Sequence, residues 1–121
     1  MADYLPKFKP GEAVTFTASA AVTGGRLVAV TGDRTVAPAA ADSAAVVGVA
    51  GFDAAAGELV TVYTRAGGVQ RLVASAAIAA GAKVASAADG KAQTLGANTN
   101  PIGLALEPAA AANDVIDVLF I

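Results

Sequence analysis

A twelve-residue stretch that occurs twice constrains this chain more than any other feature. Thr17-Ala-Ser-Ala-Ala-Val-Thr-Gly-Gly-Arg-Leu-Val28 returns as Val73-Ala-Ser-Ala-Ala-Ile-Ala-Ala-Gly-Ala-Lys-Val84, an offset of 56 residues (73 − 17). Six of the twelve positions are identical: Ala18/Ala74, Ser19/Ser75, Ala20/Ala76, Ala21/Ala77, Gly25/Gly81 and Val28/Val84. Further on, Asp33 falls on Asp89, and Val47-Gly-Val-Ala50 falls on Ile102-Gly-Leu-Ala105 with the offset slipping to 55. Leu59 to Tyr63 and Val115 to Leu119 then close the two copies as strand-like segments. Alanine matches carry little weight in a chain with 33 alanines, but the ordered series of Gly, Asp and β-branched positions does not depend on them. A fixed internal period of this kind is the mark of a duplicated module, here with halves at about 13–66 and 67–121.

The local patterns inside each half are those of strands. Val14 to Ser19 alternates apolar and hydroxyl residues at period two, as a half-buried strand does. Gly24-Gly25 predicts a turn, Arg26–Thr31 a strand, Gly32-Asp33 a tight hairpin and Thr35–Ala37 the return strand. After a loop from Pro38 to Ala45 come strands at Val46–Ala50 and Leu59–Thr64. Between them, residues 53–57 have room for one helical turn, too short to be stable alone. The second half predicts strands at Val69–Ser75, Lys83–Ala87, Lys91–Leu95, Ile102–Leu106 and Val115–Phe120. In the last, Ile116, Val118 and Phe120 should face one way and Asp117 and Leu119 the other. Many short strands with Gly turns and no helical period mean an all-β domain. The expected fold is an antiparallel β-sandwich or partly open barrel, with the β-clip as a variant, spanning residues 13–121.

Residues 1–12 lie outside the repeat and are expected to form an extended arm. Pro6 and Pro10 cannot donate to a ladder and push Leu5 and Lys9 towards extended geometry. Tyr4, Leu5 and Phe8 are three large apolar side chains within five residues, more than a disordered tail usually carries. Together with Lys7 and Lys9 they are the candidate partner-binding residues.

Chemistry is harder to find. The chain has no cysteine and no histidine, which removes disulfides, thiolate metal sites and the commonest general base. A Ser-Lys pair from Ser75 or Ser86 with Lys83 is undercut by Leu27, which holds the Lys83 position in the first copy. Asp33, Asp53, Asp89 and Asp114 sit beside turn residues, where carboxylates hydrogen-bond local backbone. No phosphate-cradling glycine motif and no Asp-x-Asp calcium spacing is present. Catalytic, cofactor and metal sites are therefore not expected. Eight Lys and Arg against ten Asp and Glu, with no run of either sign, argue against nucleic acid. The scattered Arg26, Arg34, Arg65, Arg71, Lys83 and Lys91 are expected on solvated faces, with some at subunit contacts. No apolar run approaches the ~20 residues that span a bilayer, and residues 1–6 lack a secretory pattern. A core of Ala and Val is thin, since each buried methylene contributes only about 0.8 kcal/mol. Small domains of that kind commonly oligomerise.

Tyr4-Leu-Pro-Lys-Phe-Lys-Pro-Gly11, Val14-Thr-Phe-Thr-Ala-Ser-Ala-Ala-Val-Thr-Gly-Gly25, Gly68-Val-Gln-Arg-Leu72, Ala76-Ala-Ile-Ala-Ala-Gly81 and Asn100-Pro-Ile-Gly-Leu-Ala105 carry a resemblance. Across essentially the whole chain it resembles the capsid decoration (cement, head decoration) proteins of tailed bacteriophages, most of all those of phages infecting actinobacteria. That resemblance implies a structural protein made in the host cytoplasm that binds the major capsid protein on the outer surface of the expanded head. It also implies a homotrimer with an arm that orders on the capsid, and no catalytic residues. The alternative is a carbohydrate-binding module, because Ile78-Ala-Ala-Gly-Ala-Lys-Val84 is similar to the apolar-x-x-Gly-x-x-apolar turn of β-clip proteins. The scarcity of aromatics outside the arm counts against it.

Overall fold

The structure is a computed structural model that describes residues 7–9, 11–65 and 68–121. Its strands are β1 (Ala13–Ala18), β2 (Leu27–Gly32), β3 (Thr35–Pro38), β4 (Val46–Ala50), β5 (Leu59–Thr64), β6 (Val69–Val73), β7 (Lys83–Ser86), β8 (Ala92–Thr94), β9 (Gly103–Ala105) and β10 (Val115–Phe120). The first five close into a barrel in the order β1-β3-β2-β4-β5, and the last five form a sheet in the order β6-β10-β9-β7-β8. The all-β expectation holds, and its open choice resolves into a closed barrel beside a second sheet. Residues 53–57 do not form a helical turn. Ala54 is instead pinned to Val22 by an isolated antiparallel bridge. One 3-10 turn, Ala88–Gly90, follows β7.

Burial explains the patterns. In β10, Ile116, Val118 and Phe120 are buried while Val115 and Leu119 are exposed and Asp117 is half-buried, as the alternation requires. β2 and β4 break alternation because both of their faces are covered. Val28 points into the barrel with Phe16, Val36, Val60 and Val62. Its neighbours Leu27 and Ala29 point outward, into a second cluster with Val49, Leu72, Ile102, Ile116 and Phe120. The barrel wall thus doubles as one layer of the second core.

Pairings in the two sheets recur at the offset seen in the repeat. The antiparallel pair Thr15↔Thr61 has its counterpart in Arg71↔Asp117. The bridge Val22↔Ala54 is matched by Ile78↔Ala109. Gly48 and Gly103 match as well. A Cβ on Gly48 would strike the Tyr63 carbonyl oxygen, and one on Gly103 would lie 2.6 Å from that of Leu119. Closure is where the sheets differ. Thr17↔Thr35 and Ala18↔Val36 pair in parallel to seal the barrel, but the equivalent contact in the second sheet is the single bridge Ala74↔Ala92.

A polar seam joins the sheets. Ser86, fully buried, donates through its hydroxyl to the Ala40 carbonyl (2.8 Å) and accepts from the Ser43 N–H (2.9 Å). Arg65, expected on a solvated face, instead fans its guanidinium onto the carbonyls of Val46, Pro101 and Ile121 at 3.1–3.2 Å. Asp42, in left-handed geometry (φ 50), accepts from the backbone N–H groups of Thr99 (3.2 Å) and Asn100 (2.9 Å). Those bonds, Thr99's first, hold its carboxyl below the ordinary value of 3.8. An acid whose folded pKa is depressed adds stability above its unfolded pKa and loses it as pH falls through the folded value. The expected result is a thermal midpoint for Asp42→Asn that lies below wild type at about pH 6. The gap should begin to narrow as pH falls towards 3.8 and close only below the lowered folded value, where the wild-type carboxyl is itself protonated. Melting curves across that range check it; a gap independent of pH would remove the ionised clamp.

Candidate functional site

The described part of the arm turns back on the barrel. Gly11 takes a positive φ of 84°, which glycine adopts without strain, and the Glu12 N–H donates to the Lys9 carbonyl at 3.2 Å. Thr64 Oγ1 donates to the Glu12 carbonyl at 3.4 Å, tying the arm's root to β5. Lys7, Phe8 and Lys9 are all exposed. The Phe8 ring lies over the Arg34 guanidinium, 5.6 Å from Cζ to ring centroid, and Arg34 sits over Phe16 at 5.4 Å. Such cation–π contacts contribute about 0.5–1 kcal/mol at exposed sites. Lys7, Phe8 and Lys9 are therefore brought together on one anchored segment; Tyr4 and Leu5 lie outside the described residues.

Arg34 does more than the expected solvated cation. It occupies the left-handed region (φ 56) at the β2–β3 turn. Its carbonyl accepts from the Thr17 N–H at 3.0 Å, and its Nη2 donates to the Thr15 carbonyl at 3.0 Å. Backbone and side chain together seal the β1 edge that β3 leaves open.

Two outward strand faces carry apolar residues that the arm-centred expectation missed. On β5, Leu59 (65% exposed) and Tyr63 (49%) flank Thr61, with Phe52 (50%) at the end of β4. At the equivalent places on β10, Val115 and Leu119 flank Asp117, with Val69 on β6 and Leu106 just past β9 beside them. Both faces were legible from the alternation of β5 and β10, because on the outward side of each strand the positions either side of Thr61 and Asp117 are large and apolar. Exposed apolar area grouped on one face marks an interaction surface.

Little else offers chemistry. Among the described residues, no three His, Cys, Asp or Glu side chains are placed to hold a metal ion. A cavity of about 200 Å³ lies beside β2, with Arg26 and Asp89 on its wall and no nucleophile–base pair. That is below the ~300–1,000 Å³ of ordinary ligand pockets. Of the four turn carboxylates, Asp114 bonds local backbone, at Ala110 and Ala111. Asp53 accepts from the distant Gly24 N–H at 2.8 Å, joining two loops. Asp42 was not singled out at all, since nothing in its loop marks a clamp whose partners lie 57 and 58 residues away.

The described residues thus give an all-β protein of the kind whose candidate site is exposed surface, an arm segment and two apolar strand faces, rather than a cavity. Comparison with known proteins identifies which kind. The chain belongs to the phage cement protein family, whose model matches residues 8–120. In fold it is similar to the crystal structure of the head fiber gp8.5 N base of bacteriophage phi29. The two share 23% sequence identity with a TM-score of 0.73, covering 91% of this chain and 93% of that one. No curated protein sequence matches the chain significantly.

Proposed function

We propose that this protein is a capsid decoration protein, binding the outer surface of the major capsid protein lattice as a homotrimer and stabilising the expanded head. The observation that carries the reading is membership of the phage cement family over residues 8–120. In this reading residues 13–121 are one domain of two duplicated halves, 13–66 and 67–121. Residues 1–12 are the capsid-binding arm, with Tyr4, Leu5, Lys7, Phe8 and Lys9 as its contacts. The protein works by adhesion and has no catalytic activity.

The physics of a lattice binder supports this. Each contact needs only modest affinity, because a trimer that holds one capsid subunit binds the next at high effective concentration. Exposed Leu59, Tyr63, Val115 and Leu119 supply apolar surface both for self-association and for the shell. The reading is tested by light-scattering mass after gel filtration, then co-sedimentation with undecorated expanded heads. A trimer that pellets with heads and saturates is expected. A monomer that stays in the supernatant would overturn the proposal.

A further inference from the structure

We propose that the free edge of β6 receives an extended strand of the shell protein, so that the second sheet is completed on the capsid; this rests on the decoration reading above. The backbone geometry of β6 carries the argument. Ala74 donates to the Asp114 carbonyl, and Gly68 accepts from the Phe120 N–H, so even-numbered residues of β6 face β10. Alternation then turns the N–H and C=O groups of Val69, Arg71 and Val73 the other way. Ser75 confirms that direction, donating to the Ala92 carbonyl of β8. Past that bridge, in which the Val73 carbonyl accepts from the Ala92 N–H, the N–H groups of Val69, Arg71 and Val73 and the carbonyls of Val69 and Arg71 have no backbone partner among the described residues.

The first half shows what is missing. Its matching edge, at Thr15 and Thr17, is sealed by the side chain and carbonyl of Arg34. At the offset of 56, position 34 becomes Gly90, which has no side chain to reach across. Gly90 is also committed elsewhere: its N–H donates to the Ala39 carbonyl at 3.0 Å, and a Cβ there would strike the Leu27 carbonyl oxygen. Packing on the barrel has drawn this turn away from β6. An unpaired edge is a template for strand addition, in which main-chain bonds supply affinity and alternate side chains specificity.

Two occupants within the chain itself are disfavoured. The described part of the arm is held on the barrel, at the β2–β3 turn, by Phe8 on Arg34. Pairing of β6 with β6 of a second copy about its centre would set Arg71 against Arg71, and like charges directly opposite are destabilising. What fits is a foreign strand with apolar residues at alternate positions, continuing the face of Val69, Val115 and Leu119. An uncharged or acidic residue would lie opposite Arg71, whose own ion pair with Asp117 is long (3.9 Å) and exposed.

The test is amide hydrogen exchange resolved to single residues, on the free protein and on decorated heads. In the free protein Arg71 and Val73 should exchange at least ~100-fold faster than Gln70 and Leu72, which are bonded to β10. On heads their protection should rise ~10-fold or more. Val73→Pro removes one outward N–H and leaves the β10 ladder intact, so it should fold and lose head binding ~10-fold. If that variant fails to fold, the wild-type exchange pattern decides alone. Heads that are decorated while Arg71 and Val73 stay unprotected overturn the edge proposal and leave the decoration reading standing. Failure to pellet with heads overturns both. Protection that rises with protein concentration alone assigns the edge to a second copy and overturns the inference.

Discussion

Gly48→Ala is expected to destabilise the fold by about 3 kcal/mol, the cost of forcing one extra carbon into a fully packed site. That corresponds to a fall of roughly 10 °C in thermal midpoint for a domain of this size. The neighbours of the added carbon are all backbone: the Tyr63 carbonyl oxygen, Tyr63 C at 2.9 Å and Thr64 Cα at 2.8 Å. A side chain could rotate away, but these atoms belong to β5, which is paired to both β1 and β4. The only relief is to part β4 from β5 and so open the barrel. Gly103→Ala meets the Leu119 carbonyl oxygen at 2.6 Å and Val118 Cγ1 at 2.7 Å. It should cost somewhat less, because the Val118 side chain can yield and β9 belongs to a sheet that is not closed. Thermal unfolding of the two variants beside wild type measures both. A Gly48→Ala protein as stable as wild type would contradict the close approach of β4 and β5 on which the barrel depends.

The same pair of glycines shows how much was legible beforehand. Val47-Gly-Val-Ala50 and Ile102-Gly-Leu-Ala105 stood out as matched motifs, and three strands, β4, β5 and β10, have the bounds that their patterns predict. The core alternation of β10 was readable because its inner residues are large and its outer ones include Asp117. What sequence could not reveal was asymmetry between the two matched segments of the chain. Arg34 and Gly90 occupy matching turns, yet one seals a strand edge and the other packs on the neighbouring barrel. The difference follows from the shared core of Leu27, Ala29 and Val49 with the second sheet, which exists only once the two halves meet. Asp42 went unremarked and Arg65 was placed on a solvated face for the same reason: their partners are backbone groups distant in sequence, which leave no trace in residue identity. The arm was legible as an apolar–basic segment, while the cation beneath Phe8 was not.

Removing residues 2–12 is expected to leave the body folded and to abolish decoration. β1 begins at Ala13, and the described arm touches the body through Phe8 on Arg34 and the Glu12–Thr64 hydrogen bond. Losing those contacts should cost only about 1 kcal/mol of stability. Binding should suffer far more, and in a way that reports the oligomer. If Phe8→Ala weakens each arm's grip tenfold, about 1.4 kcal/mol, a trimer holding the shell through three arms loses about 4 kcal/mol, or ~1,000-fold. A monomer carrying the same substitution loses only the tenfold. Replacing Lys7 and Lys9 by glutamate should weaken binding most at low salt and progressively less as screening shortens the reach of exposed charges. Co-sedimentation titrations of wild type, Phe8→Ala and the truncated protein separate the cases. A steep loss for the single substitution supports a multivalent arm, a shallow one a single contact. Full decoration by the truncated protein would remove the arm from the binding surface and leave the apolar faces of β5 and β10 to hold the shell.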